Sequence, residues 1–237
     1  MPNPYFKFKQ FTVFQDKCAM KVGIDGVLLG AWANTTNTLN ILDIGTGTGL
    51  IALMLAQRCN ATIKAIDIEP NAVIQAKENI EASPWKEQIA AMEIPLQNFI
   101  HHTSDKFDLI ISNPPFFINS LKAPDSSRNI ARHTDTLTHQ ELIDCSAKIM
   151  SPVGRICLIL PEKEGLECIE YAKLNGFYCY QLVYVHPKPW NPAKRLLIEL
   201  WNKPTETIIS HLVIETENRH EYSEAFTKLA KEFYLKL

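Results

Sequence analysis

The chain has 237 residues, 46% of them hydrophobic, and its 24 basic and 26 acidic side chains give a formal net charge of -2. That length and apolar content suffice for one sizeable buried core. The balance excludes a globally basic nucleic-acid binder but leaves room for a local cationic patch that attracts phosphate. Six cysteines, Cys18, Cys59, Cys145, Cys157, Cys168 and Cys179, form no CxxC pair and have no histidine at zinc-ligand spacing. They read as reduced structural thiols, and no metal is expected. No run approaches the ~18 apolar residues of a membrane span, and the opening MPNPYFKFKQ lacks the apolar stretch of a signal peptide. A reducing cytoplasm is the expected compartment, with no membrane partner.

In chain order, the alternating FKFKQFTVF comes first, followed by a helix-like GVLLGAWA. TLNILDIG then predicts a buried strand, LIALMLAQR a helix, TIKAIDI a second strand, and PNAVIQAKENIEAS a helix opened by Pro70 in its first turn. A weaker strand near QIAAMEI and a strong one, FDLIIS, come next, and then a polar stretch over 119–136 that is long for a connection inside a domain. THQE marks a helix start at Thr138, where Glu141 can complete a capping box. GRICLILP predicts a strand, a helix runs to Gly176, and FYCYQLVYVH and RLLIELW are strands joined by PKPWNPAK. ETIISHLVIET is strand-like, and EYSEAFTKLAKEFYLKL reads as a terminal amphipathic helix. Alternating strands and helices predict a parallel sheet covered on both faces. Without an internal repeat or low-complexity linker, one domain is expected, with residues 1–37 as an N-terminal extension and 38–237 as a catalytic core.

LDIGTGTG places Gly45, Gly47 and Gly49 between a strand and a helix, where the backbone can turn tightly and a ligand can lie against it. Alone, this also fits a dinucleotide-binding fold or a plain tight turn. Asp43, two residues before the first glycine, favours a cationic ligand such as a sulfonium over a pyrophosphate, since like charges repel. Asp67 ends the second strand at the ~20-residue spacing of an acid that grips ribose hydroxyls. Together these residues resemble the motifs of the class I S-adenosylmethionine-dependent methyltransferases. The resemblance implies a Rossmann-like α/β fold, a seven-stranded, mostly parallel sheet with an antiparallel C-terminal hairpin, and S-adenosyl-L-methionine as cofactor.

NPPF, Asn113 to Phe116, follows FDLIIS at the edge where ligands bind in an open α/β sheet. It is similar to the [D/N/S]PP[Y/F/W] motif of methyltransferases acting on planar amino groups. The lone pair of such a nitrogen is delocalised, so the resemblance implies that the Asn113 side-chain oxygen and the Pro114 carbonyl accept the two amine hydrogens while Phe116 stacks on the target. Asn113, Pro114, Pro115 and Phe116 are the expected catalytic set. These acceptors strengthen as positive charge develops, without a strong general base.

QDKCAMKVGIDGVLLG ahead of the glycine turn, with ARHTD after NPPF, resembles the tRNA1(Val) (adenine(37)-N6)-methyltransferase family over most of the chain. This implies methylation of an exocyclic adenine amine beside the anticodon of a valine tRNA, with Gln15, Lys21, Val22, Gly23 and Asp25 in a lid over the cofactor. Lys7 and Lys9 alternate with aromatics and point either to solvent or to phosphate. Arg128, Arg132 and His133 fall in the long polar stretch, and Lys188, Trp190, Lys194 and Arg195 surround a hairpin turn, a second place for RNA. Pro95 stands where many relatives place an acid near the cofactor adenine, and Glu93 reaches that place only with a shifted register. Alternatives are methylation of a release-factor glutamine amide or an rRNA base, and a non-catalytic RNA-binding protein retaining the fold.

Overall fold

The computed structural model describes residues 3–114, 137–218 and 221–236. Its strands are β1 (Tyr5–Lys7), β2 (Thr12–Phe14), β3 (Asn40–Ile44), β4 (Thr62–Asp67), β5 (Ile89–Glu93), β6 (Phe107–Ser112), β7 (Met150–Pro161), β8 (Tyr178–His186), β9 (Arg195–Trp201) and β10 (Ile208–Val213). Its helices are α1 (Ile24–Trp32), α2 (Leu50–Ala56), α3 (Pro70–Glu81), α4 (Leu96–His102), α5 (His139–Ile149), α6 (Glu162–Leu174) and α7 (Glu224–Ala230).

The main sheet has eight strands in the order β10-β8-β9-β7-β6-β3-β4-β5. Within it β9 runs antiparallel to both neighbours, and the other pairs are parallel. The expected seven strands are present, and β10 adds an eighth at the edge, parallel to β8. Strand alternation divides the apolar side chains between two faces. Ile41, Ile63 and Leu109 join one buried cluster with α1, α2, α3 and α7, whereas Leu42, Ile44 and Ile66 join another with α4, α5 and α6. Near-continuous apolar runs in the central strands are thus what a sheet covered on both sides requires.

The aromatics of the N-terminal segment make the hairpin β1–β2, with Phe8 and Phe11 stacked at 4.7 Å between ring centroids. The chain end meets it there. Phe8 bridges Tyr234, the Lys9 amide donates to the Phe233 carbonyl at 2.8 Å, and Phe226 and Phe233 are buried in the same cluster. The long terminal helix expected from the sequence stops at Ala230, because the chain must turn to lay Phe233 and Tyr234 on the hairpin. At α5 the Thr138 hydroxyl accepts from the Glu141 amide and the Glu141 carboxylate accepts from the Thr138 amide, the expected reciprocal cap.

Candidate active site at the carboxyl ends of β3, β4 and β6

Ile44 is in register with Ile66 of β4 and with Ser112 of β6. The next residues on the three neighbouring strands are therefore Gly45, Asp67 and Asn113, side by side at one edge of the sheet. Ser112 ties two of the strands further, its hydroxyl donating to the Ile44 carbonyl at 2.8 Å. Three features found separately in the sequence thus share one site.

Between β3 and α2 the chain takes left-handed conformations at Gly45, Gly47 and Gly49, with φ of 71°, 57° and 81°. These are conformations that glycine adopts without strain. The Gly45 and Thr46 amides donate to the Ile66 carbonyl, and the Gly47 amide donates to Asp67 Oδ2 at 2.8 Å. Asp67 Oδ1 accepts from the Glu69 amide at 3.0 Å. A carboxylate offers about four acceptor positions, so each oxygen of the half-buried Asp67 keeps capacity for a ligand hydroxyl.

Asp43 is fully buried, and its Oδ2 accepts from the Thr46 hydroxyl at 2.6 Å. Its Oδ1 is buried with no hydrogen-bond partner among the described residues. Burial pushes this carboxyl up to about 7, against the opposing pull of the Thr46 bond. Asn113 Oδ1 is likewise buried, with no partner among the described residues. A buried acceptor left unmatched costs about 1–3 kcal/mol, and these two at one sheet edge, unmatched among the described residues, are candidates to receive a donor or a cation.

Residues 12–23 form a strap packed on α3 and reaching the glycine turn. Gln15 folds it, its Oε1 accepting from the Val22 amide at 2.7 Å and its Nε2 donating to the Asn3 carbonyl at 2.8 Å. The Lys21 ammonium donates to the carbonyls of Gln15 and Cys18, and a Cβ built on Gly47 would lie 4.0 Å from Cys18 Sγ. Burial pushes the Cys18 thiol up. Gly23 precedes α1, and Asp25 in its first turn accepts from Arg195 Nε at 2.8 Å. Lys21 is thus held by main-chain carbonyls and Asp25 by Arg195, just beyond the strap's end.

The turn between β8 and β9 lies at the same edge of the sheet as the glycine turn. It is closed by His186 Nδ1, which donates to the Asn191 carbonyl at 2.9 Å, a bond whose acceptor fixes the donor nitrogen. Lys188 Nζ sits 5.5 Å from the Trp190 ring centroid and donates to the Glu217 carbonyl; Trp190 is 62% exposed. Lys194 is exposed. Lys7 is exposed on β1, and Lys9 donates to the Lys231 carbonyl at 2.5 Å. Pro115, Phe116, Arg128, Arg132 and His133 lie outside the described residues, which include Pro114. Glu93 is in register with Asp67, while Pro95 precedes α4.

Sequence reasoning missed three residues here. Ile68, 44% exposed beside Asp67, offers an apolar surface at the site. Gln75 and Asn79 of α3 are fully buried and bind the strap. An amide on a helix reads as a solvent-facing residue, so no pattern signalled them.

An open α/β sheet with a glycine turn, an acid at the end of the neighbouring strand and an Asn-Pro at the next defines a methyltransferase, and the methyltransferase small domain family matches residues 24–175. Solved structures share the architecture at low identity. A predicted O-methyltransferase from Agrobacterium tumefaciens superposes with a TM-score of 0.70 at 18% identity, over 88% of this chain and 96% of that one. The chain belongs to the tRNA1(Val) (adenine(37)-N6)-methyltransferase family. The proteins of that name from Parabacteroides distasonis and Phocaeicola vulgatus are 52% and 50% identical to it over the full length of both chains, and that of Trichodesmium erythraeum is 44% identical over the full length of both.

Proposed function

We propose that this protein methylates the exocyclic N6 amine of adenine 37 in tRNA1(Val), using S-adenosyl-L-methionine, in the cytoplasm and as one catalytic unit with its N-terminal strap. The observation that carries the chemistry is the row Asn113, Gly45 and Asp67 across three strand ends, with Asn113 Oδ1 buried and lacking a partner among the described residues.

The chain's residues fit this cofactor. Asp43 and its unmatched Oδ1 compensate positive charge, Gly45 and Gly47 present main chain without side chains, and Asp67 has acceptor capacity for ribose hydroxyls. Ile68, 44% exposed, would offer apolar surface to a purine, and Gln15, Lys21, Val22, Gly23 and Asp25 would cover the bound molecule. When bound, S-adenosylmethionine supplies a methyl group on a sulfonium, already a good leaving group. Asn113 Oδ1 and the Pro114 carbonyl would accept hydrogen bonds from the two N–H groups of the target amine, drawing its lone pair out of conjugation and aiming it, and the proton lost after methylation would pass to solvent. Both acceptors bind more strongly as the nitrogen becomes cationic, which is where catalysis gains. Phe116, outside the described residues, would stack on the adenine. Trp190 and Lys188 would stack on and neutralise a neighbouring part of the anticodon arm, and Lys7, Lys194 and, outside the described residues, Arg128, Arg132 and His133 are the further groups proposed to meet phosphate.

The test is methyl transfer from labelled cofactor to a tRNA1(Val) transcript and to the same transcript with guanine at position 37. Labelled N6-methyladenosine in the first and none in the second is expected. No transfer to either, with transfer to ribosomal RNA or a release factor, would keep the chemistry and overturn the substrate. No transfer to any acceptor, with no cofactor binding, would leave an RNA-binding protein.

A further inference from the structure

The strap is held by polar groups of α3 that no catalytic step uses. Asn79 is 1% exposed, and its amide makes a two-way bond with the main chain of one strap residue: Oδ1 accepts from the Phe14 amide and Nδ2 donates to the Phe14 carbonyl, both at 2.8 Å. The same Nδ2 donates to the Thr48 carbonyl at 2.9 Å, between Gly47 and Gly49. One turn earlier on the same face, Gln75, with no exposed surface, accepts from the Lys17 amide at 3.0 Å, and the Lys17 ammonium pairs with Glu78.

Apolar contact alone would suffice to bury β2 on a helix, but it would leave the strap free to slide. A side-chain amide matched to both main-chain polar groups of one residue fixes the register, since a shift by one residue turns those groups away and leaves buried donors and acceptors unmatched. Through the Thr48 carbonyl this amide also touches the glycine turn. Any displacement of that turn is therefore felt by the strap, and the strap's position fixes the turn.

We propose that Asn79 is a positioning residue that locks the strap to the glycine turn, supported by Gln75, so that filling the cofactor site and closing the strap are one event. This rests on the reading that the strap covers the cofactor. The expected free-energy link is reciprocal: a ligand at the turn tightens the strap, and loosening the strap weakens the ligand.

The probe is S-adenosylhomocysteine, with wild type, Asn79→Ala and the milder Gln75→Ala compared. Three quantities are measured: the dissociation constant by calorimetry, the rise in melting temperature on saturation, and the rate of tryptic cleavage after Lys17 and Lys21 with the site filled. In wild type the ligand should slow cleavage at both bonds at least tenfold. In Asn79→Ala the dissociation constant should rise about tenfold, most of the protection should vanish even at saturation, and the loss of activity should fall on the KM for S-adenosylmethionine, not on kcat. Gln75→Ala should move the same quantities less, and serves alone if Asn79→Ala does not fold. Variants whose unliganded melting temperature drops while ligand affinity and protection match wild type would overturn the proposal and leave these amides as packing only. A wild-type protein that does not bind the probe at all would instead overturn the methyltransferase reading on which the proposal stands.

Discussion

Asp43 carries the largest electrostatic burden of the site. Its carboxyl moves from an ordinary 3.8 to about 7, chiefly through burial. The folded protein therefore binds more protons than the unfolded chain between those values, and this group's contribution to stability falls as pH rises through that window. A cationic ligand beside the ionised form reverses the burden, so the site favours its cofactor at the expense of the empty fold. Asp43→Asn keeps an oxygen for the Thr46 hydroxyl and removes the charge. The unliganded variant should be more stable than wild type by up to about 4 kcal/mol at pH 8, with the gap narrowed to less than half at pH 5 and closed only below the unfolded value of 3.8, and it should bind S-adenosylmethionine far more weakly. Thermal melts at the two pH values read this directly, and a variant less stable at pH 8 would contradict the assigned cause. Asn113 is the complementary case. Its proposed role is hydrogen bonding to the target amine, so Asn113→Ala should lower kcat by about 100- to 1,000-fold, the scale of losing a positioned transition-state hydrogen bond, with cofactor affinity within about twofold of wild type. Loss of both together, by single-turnover kinetics and calorimetry, would remove Asn113 from that role.

At the level of elements, the glycine turn holds three left-handed residues in five positions. Gly47 combines a φ of 57° with the Cys18 sulfur 4.0 Å from where its Cβ would stand. Gly47→Ala should cost about 1–2 kcal/mol and raise the KM for the cofactor, read by chemical denaturation and steady-state kinetics. This turn was legible because its constraint is local, as were β3, β4, β6, α3 and the Thr138 cap, whose apolar runs and end signals sit within the element itself. α4 was not, since seven residues opened by Pro95, without a side-chain cap, offer too little periodicity to stand out from a loop. β10 read as strand-like, but its place was hidden: a parallel partner such as β8 is chosen by the tertiary fold and not by neighbouring residues. Asp43, Asp67 and Asn113 could be read as site residues from their positions after strands. Gln75 and Asn79 could not, because what gives an amide meaning is the peptide it meets, 58 and 65 residues away.

Across the whole molecule, the two ends of the chain are packed together, and that union supports the strap from behind. Phe8 lies against Phe6, Phe11 and Tyr234, while Phe226 and Phe233 close the same cluster near α1 and α2. Gln57 after α2 donates to the Glu232 carbonyl at 3.0 Å, tying the chain end to the helix that follows the glycine turn. The strap begins at β2 and ends at α1, so one side rests on this terminal cluster and the other on α3 and Arg195. Phe233 is 2% exposed. Phe233→Ala should destabilise the protein by about 3–5 kcal/mol, the range for emptying an aromatic site in a core. If the terminal cluster supports the strap as argued, the damage will be uneven, because local opening follows local packing. Amide exchange should speed up more in residues 5–22 than in β3, β4 and β6, and S-adenosylhomocysteine should restore part of the protection. Uniform acceleration across the sheet would show instead that the cluster belongs to the global core and gives the strap no separate support.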